Sequence, residues 1–179
     1  TIAVDTRRSD VRNWQMLSEV YGTLAALGIE GAKEQVYKVL PELTMRDPQN
    51  PAYALTEAAI LLRDNDESGA RTKIATALAL KPNYTDALNL LTQLDIAKGN
   101  IKDAIATVRS LTVLEPGNPA RYYQLGVLYA ADNESEAAIE AFTRALTLSP
   151  DYANARYMRA VEFAKRGDRD TALAELRLL

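Results

Sequence analysis

Apolar residues between positions 119 and 152 follow a helical period. Tyr122, Leu125, Gly126 and Tyr129 lie three, four and seven residues apart, so they share one face of an α-helix. A second run has a similar helical spacing, with Ala138, Phe142, Ala145 and Leu148. Asn133 separates the two runs, and Asn tolerates the left-handed conformation that ends helices. The pattern predicts a hairpin of two amphipathic helices of about 13 residues each.

The residue sizes in the two runs are complementary. Small residues, which allow a close approach of the helices, stand at Gly126, Ala138 and Ala145. Aromatic residues, which we expect to fill the space around them, stand at Tyr122, Tyr129 and Phe142. A single hairpin cannot cover its own apolar face, so this pattern predicts one unit of a stack.

The same pattern recurs every 34 residues. Prolines that close each unit are Pro48, Pro82, Pro116 and Pro150. Residues suited to a left-handed turn are Gly31, Asn65, Gly99, Asn133 and Gly167. Small residues of the second helix are Ala70, Ala104, Ala138 and Ala172. Predicted N-caps just after the turn are Asp66, Asn100 and Asp168, and Glu134 breaks that series.

These columns resemble the tetratricopeptide repeat, with its W-x2-L-G-x2-Y helix, its second helix carrying Ala and Phe, and its closing Pro. The resemblance covers residues 11–179 and implies an all-α, right-handed superhelical solenoid of about ten antiparallel helices. We expect an N-terminal arm at 1–10, repeats at 11–50, 51–84, 85–118 and 119–152, an incomplete repeat at 153–179, and one solenoid domain overall.

The first repeat departs from the others. Trp14, Leu17 and Tyr21 reproduce W-x2-L-x3-Y, but six extra residues lie between Tyr21 and Gly31. They predict a longer first helix or a wider loop. Pro41 falls inside the second helix and is expected to kink or shorten it. Upstream, Ser9 or Asp10 is expected to cap the first helix.

Polar residues replace apolar ones at a few inward-facing positions. Glu57, Thr92, Asp95 and Arg159 stand where the repeat usually has Leu, Gly, Tyr and Leu, so we expect looser packing or polar partners there. Glu57 and Asp95 are expected to pair with a nearby Arg or Lys rather than to act in catalysis.

Composition excludes several kinds of chemistry. The 179 residues carry a net charge of −3, which favours neither nucleic acid nor an anionic membrane as partner. There is no Cys and no His, so neither a zinc site nor a Cys–His pair can form, and the redox compartment stays undetermined. No apolar run is long enough to span a membrane. The acidic cluster of Asp64, Asp66 and Glu67 is interpreted as a solvated turn. We therefore expect no enzyme activity, no cofactor and no metal.

The resemblance also implies a binding surface. In the family, the first helix of each repeat lines a concave groove that holds a peptide. The matching positions here are Leu55, Ala59, Arg63, Asn89, Gln93, Ile96, Tyr123, Gln124, Val127, Asn154, Tyr157, Met158 and Val161. Their amides can pair with a peptide backbone, and their tyrosines offer apolar surface with a polar tip. The Lys and Arg set with which some family members grip a C-terminal carboxylate is missing from these positions.

Three alternatives for function stay open. The first is a non-catalytic scaffold that binds a protein or peptide segment. The second is a soluble tail of a larger enzyme or membrane protein, since the chain is similar to the repeat tails of bacterial O-antigen-ligase-like proteins and opens at Thr1 without Met, which suggests a piece of a longer polypeptide. The third is a self-assembling homo-oligomer that uses Leu176, Leu178 and Leu179. The compartment is open as well, with cytoplasm, periplasm and membrane tethering as alternatives.

Overall fold

The computed structural model of the protein describes residues 11–179, without the side chains of residues 11, 12, 19, 25 and 26. This part of the chain forms ten α-helices and no strand. In chain order they are α1 (Val11–Ala26), α2 (Ala32–Arg46), α3 (Pro51–Arg63), α4 (Glu67–Leu80), α5 (Thr85–Ala97), α6 (Ile101–Leu114), α7 (Pro119–Ala131), α8 (Ser135–Leu148), α9 (Ala153–Lys165) and α10 (Arg169–Leu176). The expected arm and the expected cap at Ser9 or Asp10 lie outside the described residues.

The helices belong to two compact units. The first unit extends to Ala87 and the second spans Leu88–Leu179, so α5 crosses the boundary. Consecutive helices pack as pairs within each unit: α1 with α2 and α3 with α4 in the first, α7 with α8 and α9 with α10 in the second. This confirms the all-α fold of helix pairs. The repeat boundaries and the single solenoid domain stay predictions.

The core of the first unit lies between α2 and α3. It contains Val36, Val39, Leu40, Leu43, Tyr53 and Ile60. Trp14, Leu17 and Tyr21 of α1 pack against this cluster. The W-x2-L-x3-Y motif therefore supplies the side of α1 that covers the core.

The extra residues of the first repeat are divided between helix and loop. α1 has 16 residues, whereas α3, α5, α7 and α9 have 13 each. The loop between α1 and α2 spans residues 27–31, and the equivalent turn between α3 and α4 spans only 64–66. Pro41 was expected to kink or shorten α2. The shortening is wrong, because α2 has 15 residues and continues past Pro41 to Arg46, and the kink stays a prediction. Pro41 is exposed, so its ring is accommodated on the solvent side.

The core of the second unit has two clusters. In the first, Ala104, Ile105 and Val108 of α6 meet residues of α7 and α8, namely Leu125, Leu128 and Ala141. In the second, the fully buried Phe142 is surrounded by small residues of α8 and α9, which are Ala138, Ala145 and Ala155. The predicted packing of aromatic residues around small ones is confirmed in this hairpin.

The predicted turns are confirmed by their backbone angles. All five residues of the Gly/Asn column are left-handed, with φ of 75° at Gly31, 60° at Asn65, 74° at Gly99, 62° at Asn133 and 86° at Gly167. Each follows the end of the first helix of a pair. An Asn or Gly at this position is thus explained by the conformation that reverses the chain.

The predicted N-caps are confirmed in part. The side chains of Asp66 and Asp168 accept hydrogen bonds from the backbone N–H groups of Gly69 and Thr171, whereas the side chain of Asn100 makes no cap. Two caps were missed: Asn50 and Asn118 accept from the backbone N–H two residues on, and each is followed by a Pro at the first helical position. The Asn-Pro pair was the available signal, since Pro favours that position.

The inward-facing polar residues have partners or backbone hydrogen bonds. Glu57 forms an ion pair with Lys73, as expected. Thr92 is fully buried and its hydroxyl donates to the carbonyl of Leu88 at 2.9 Å. Asp95 is also buried.

Arg159, where the repeat usually has Leu, joins three helices. Its Nη2 donates to Oε1 of Glu175 on α10 at 2.6 Å, and its Nη1 donates to Oγ1 of Thr143 on α8 at 3.0 Å. Arg156 lies 3.8 Å from the other carboxylate oxygen of Glu175. A polar cluster therefore stands where an apolar contact is usual.

Candidate peptide-binding surface

In the first unit, the predicted groove residues lie on α3. Leu55 is half-buried, whereas Ala59 and Arg63 are exposed. Ala59 and Arg63 border an open cavity of about 390 Å³ that Ser18 and Thr23 of α1 also line. The first unit thus offers a shallow surface with one cationic side chain.

In the second unit, the predicted residues lie on α5, α7 and α9. We call this set the wall; it consists of Asn89, Gln93, Ile96, Tyr123, Gln124, Val127, Asn154, Tyr157, Met158 and Val161. Gln93, Ile96, Asn154 and Tyr157 are exposed, and the other six are half-buried. Every member therefore keeps part of its surface accessible to solvent.

The two wall tyrosines differ in their surroundings. The Tyr123 ring lies 5.2 Å from that of Tyr152 and 6.0 Å from that of Phe142, measured between centroids, so Tyr123 also belongs to the core. Tyr157 is 52% exposed and is the wall's main accessible aromatic surface. Burial, with Tyr123 as a smaller cause, raises the pKa of Tyr152 above its ordinary value, so its phenol is neutral at physiological pH.

Asn89 is held by a neighbouring arginine. Nη1 of Arg121 on α7 donates to Oδ1 of Asn89 at 2.8 Å. The oxygen of Asn89 thus already accepts one hydrogen bond, and the role of Asn89 in ligand binding stays a prediction. Nothing in the sequence signals this contact, since the two residues are 32 positions apart on different helices.

The wall carries no carboxylate. The acidic residues next to wall members in sequence are Asp95 on α5 and Glu162 on α9. Both are buried, Glu162 fully. Oε2 of Glu162 accepts from Oγ of Ser135 at 2.7 Å and its Oε1 accepts from Lys165 at 2.6 Å. Glu162 is thus used for packing α9 against the start of α8.

A second cavity lies between α7 and α8, and sequence reasoning missed it. It has a volume of about 480 Å³ and is lined by Tyr122, Leu125, Tyr129, Ala137, Glu140, Ala141, Thr143, Arg144 and Thr147. The guanidinium of Arg144 lies 5.7 Å from the centroid of the Tyr122 ring. None of these residues belongs to the wall, so the cavity is a separate surface.

The acidic turn at 64–67 has the structural roles expected of it. Asp66 caps α4, and Asp64 pairs with Lys33 across the first unit. Among the side chains that the structure describes, no group of three or more Asp and Glu residues is arranged to hold a metal ion. None of the ten helices combines the length and apolar character needed to cross a bilayer.

At the end of the chain, three leucines expected to mediate self-association are accessible. Leu176, Leu178 and Leu179 are 41%, 67% and 57% exposed. Homo-oligomerisation through them stays a prediction.

Comparison with known proteins agrees with this architecture. Residues 61–127 and 119–152 match two tetratricopeptide repeat family models, which together span the end of α3 and all of α4 to α8. A curated relative, the tetratricopeptide repeat and J domain-containing co-chaperone DNJ1 of Cryptococcus neoformans var. grubii, is 30% identical over 82 residues. That match covers 46% of this chain and 16% of the co-chaperone.

Solved structures show the same fold at low identity. A MamA fragment from Desulfovibrio magneticus RS-1 has a TM-score of 0.69 at 21% identity, covering 90% of this chain and 92% of the other. YrrB, described as a TPR protein with an unusual peptide-binding site, has a TM-score of 0.73 at 16% identity, covering 98% of this chain and 88% of the other. With its helix pairs, its left-handed turn column and these matches, the chain belongs to the tetratricopeptide repeat family.

Proposed function

We propose that the chain is a non-catalytic scaffold that binds an extended segment of another protein along the wall of its second unit. The observation that carries this proposal is the chemistry of the wall: accessible apolar and amide side chains stand together on the first helices, without a carboxylate among them. Such a surface can bury apolar side chains of a peptide and pair with its backbone.

Family relationships support the same kind of activity. YrrB is described as having a peptide-binding site, and DNJ1 is described as a co-chaperone. Both descriptions concern those proteins, and we extend only the class of ligand, a protein segment, to this chain. The alternative of a tail on a larger membrane protein stays a prediction, and it is compatible with the same binding role.

The wall's chemistry defines the segment it accepts. Because none of the ten wall residues carries a charge, charge contributes little to binding. We expect a segment with apolar side chains and a low net charge. We also expect its affinity to change little between low and high salt, unlike that of a ligand held by its carboxylate.

A selection experiment with a matched control tests the proposal. The full chain is used to select binders from a random 12-residue peptide display library, and the affinity of the best peptide is measured by fluorescence anisotropy. Ile96→Ser removes an accessible wall side chain, and Val113→Ser makes the corresponding change on α6, the second helix of its pair, where Val113 is 78% exposed.

We expect Ile96→Ser to weaken binding roughly threefold to tenfold, because full burial of such a side chain contributes about 1.5–3 kcal/mol and a ligand can cover only the 42% of Ile96 that is exposed. Val113→Ser should leave the affinity unchanged. Equal affinities for both variants and the wild type, or a larger loss for Val113→Ser, would show that the wall is not the binding surface.

A further inference from the structure

The guanidinium of Arg121 is fixed before any ligand arrives. Its Nε donates to Oε2 of Glu115 at 2.9 Å and its Nη2 donates to Oε1 at 3.2 Å, a two-point fork that sets the plane of the group. Glu115 is itself held, because Nδ2 of Asn118 donates to its Oε2 at 2.8 Å. Asn118 in turn caps α7 through Oδ1, which accepts from the backbone of Ala120 at 3.1 Å. The chain of contacts ties the guanidinium to a helix terminus.

The remaining guanidinium edge fixes the orientation of Asn89. Nη1 of Arg121 lies 2.8 Å from the Asn89 side chain, and Arg has only donors. The Asn89 atom that faces it must therefore be the oxygen. The two N–H donors of Asn89 are left for another partner, and the side chain is half-buried, so part of it reaches solvent.

We propose that Arg121 is a positioning residue that holds the oxygen of Asn89, so that an N–H group of the Asn89 amide donates to a main-chain carbonyl of the segment bound to the wall. The inference rests on the proposed function and adds which end of a ligand peptide group faces α5. That end is the carbonyl, and not the N–H group. Because the amide is already oriented, binding does not have to immobilise it, which lowers the entropic cost of that hydrogen bond.

Two variants separate the orientation of Asn89 from the integrity of the fold. Asn89→Asp keeps an oxygen for Arg121 and replaces the donating N–H group with a second oxygen, which repels a carbonyl. Arg121→Met keeps the length of the side chain and removes its donors. Arg144→Met is the matched control, since Arg144 lies on α8 over Tyr122 and has no contact with Asn89. Helicity and thermal unfolding are measured for each variant.

The probe is the 12-residue peptide selected on the full chain. We expect Asn89→Asp to weaken its binding at least tenfold and Arg121→Met to weaken it about threefold to tenfold, the range set by ordering one side chain. Arg144→Met should bind as the wild type does. In an Asn89→Ala background, Arg121→Met should have no further effect, whereas a purely structural role of Arg121 would lower the affinity in both backgrounds.

The hydrogen bond from Asn89 to a ligand carbonyl is tested directly by replacing single backbone carbonyls of the probe with thioamides, which are weaker acceptors. A thioamide at one position of the peptide should lower its affinity for the wild type about threefold to tenfold. The same thioamide should not lower the affinity for Asn89→Ala. If Ile96→Ser weakens binding while Asn89→Asp and every thioamide leave the affinity unchanged, this inference fails and the proposed function stands. If Ile96→Ser has no effect, the proposed function fails first.

Discussion

Gly126 on α7 lies directly against the ring of Phe142 on α8. A Cβ atom added to Gly126 would stand 2.5 Å from Cε1 and 2.6 Å from Cδ1 of that ring, closer than carbon atoms can pack. Phe142 cannot retreat easily, because it is fully buried among Ala138, Ala145 and Ala155. The absence of a side chain at 126 is therefore what allows the two helices to meet.

Gly126→Ala should destabilise the protein by about 1–3 kcal/mol, the usual range for overpacking a core. Helix propensity alone predicts the opposite sign, a gain of about 1 kcal/mol, so the direction of the change decides between the two effects. Chemical unfolding followed by circular dichroism measures it.

Gly22→Ala is the matched control for that substitution. Gly22 also lies inside a helix, α1, but nothing stands within 4 Å of the position that its Cβ would take. Here helix propensity should prevail and the stability should stay the same or increase. If both glycine substitutions destabilised the protein equally, close packing against Phe142 would not be the reason.

The turn column gives a second prediction. Asn133 has a φ of 62°, a conformation that costs most L-residues roughly 1–2 kcal/mol and costs glycine nothing. We therefore expect Asn133→Val to lower the free energy of unfolding by about 1–2 kcal/mol, and Asn133→Gly to leave it unchanged or raise it. Thermal unfolding of both variants, compared with the wild type, measures these changes in stability. A Val variant as stable as the Gly variant would contradict a left-handed turn at this position.

The sequence predicted those features that recur in every repeat. The left-handed turns follow from a fixed backbone geometry that favours Gly or Asn, so they were visible as a column. The close approach of the helices at Gly126 was visible from the small and aromatic residues of its own hairpin. The link between Arg121 and Asn89 was not, because neither residue belongs to a column and their contact depends on how α5 and α7 are placed. The extra residues of the first repeat showed the same limit: their number was evident, but their division between α1 and its loop was not.

Ser135 and Glu162 provide a third prediction, on a buried charge. Ser135→Ala removes one of the two side-chain donors seen on the fully buried Glu162 carboxylate, and Lys165 remains as the other. Leaving a buried charged acceptor without its partner costs about 1–3 kcal/mol, so we expect a loss of that size in the free energy of unfolding. Glu162→Leu combined with Ser135→Ala should recover part of it, because the unpartnered oxygen is then gone. Additive losses in the double variant would argue against direct coupling.

The fourth prediction concerns pH and the carboxylate that orients Arg121. The hydrogen bond from Arg121, and after it the one from Asn118, lowers the pKa of Glu115 below its ordinary value of 4.5. A carboxylate with a lower pKa in the folded state stabilises the fold at pH values above 4.5, and this contribution is lost as the pH falls through the folded-state pKa. The stability difference between wild type and Glu115→Gln should therefore be constant near neutral pH and shrink on acidification below 4.5.

Arg121→Met supplies the control for this pH dependence. With the main cause of the lowered pKa removed, Glu115→Gln should produce a smaller pH-dependent difference in the Arg121→Met background than in the wild type. Unfolding by denaturant at a series of pH values from 7 to 3 would measure both differences. The same acidification should also weaken binding of the selected peptide to the wild-type protein, because protonated Glu115 no longer holds the guanidinium that orients Asn89. A difference that grew on acidification, or that was the same in both backgrounds, would mean that Arg121 does not hold Glu115 in its charged form.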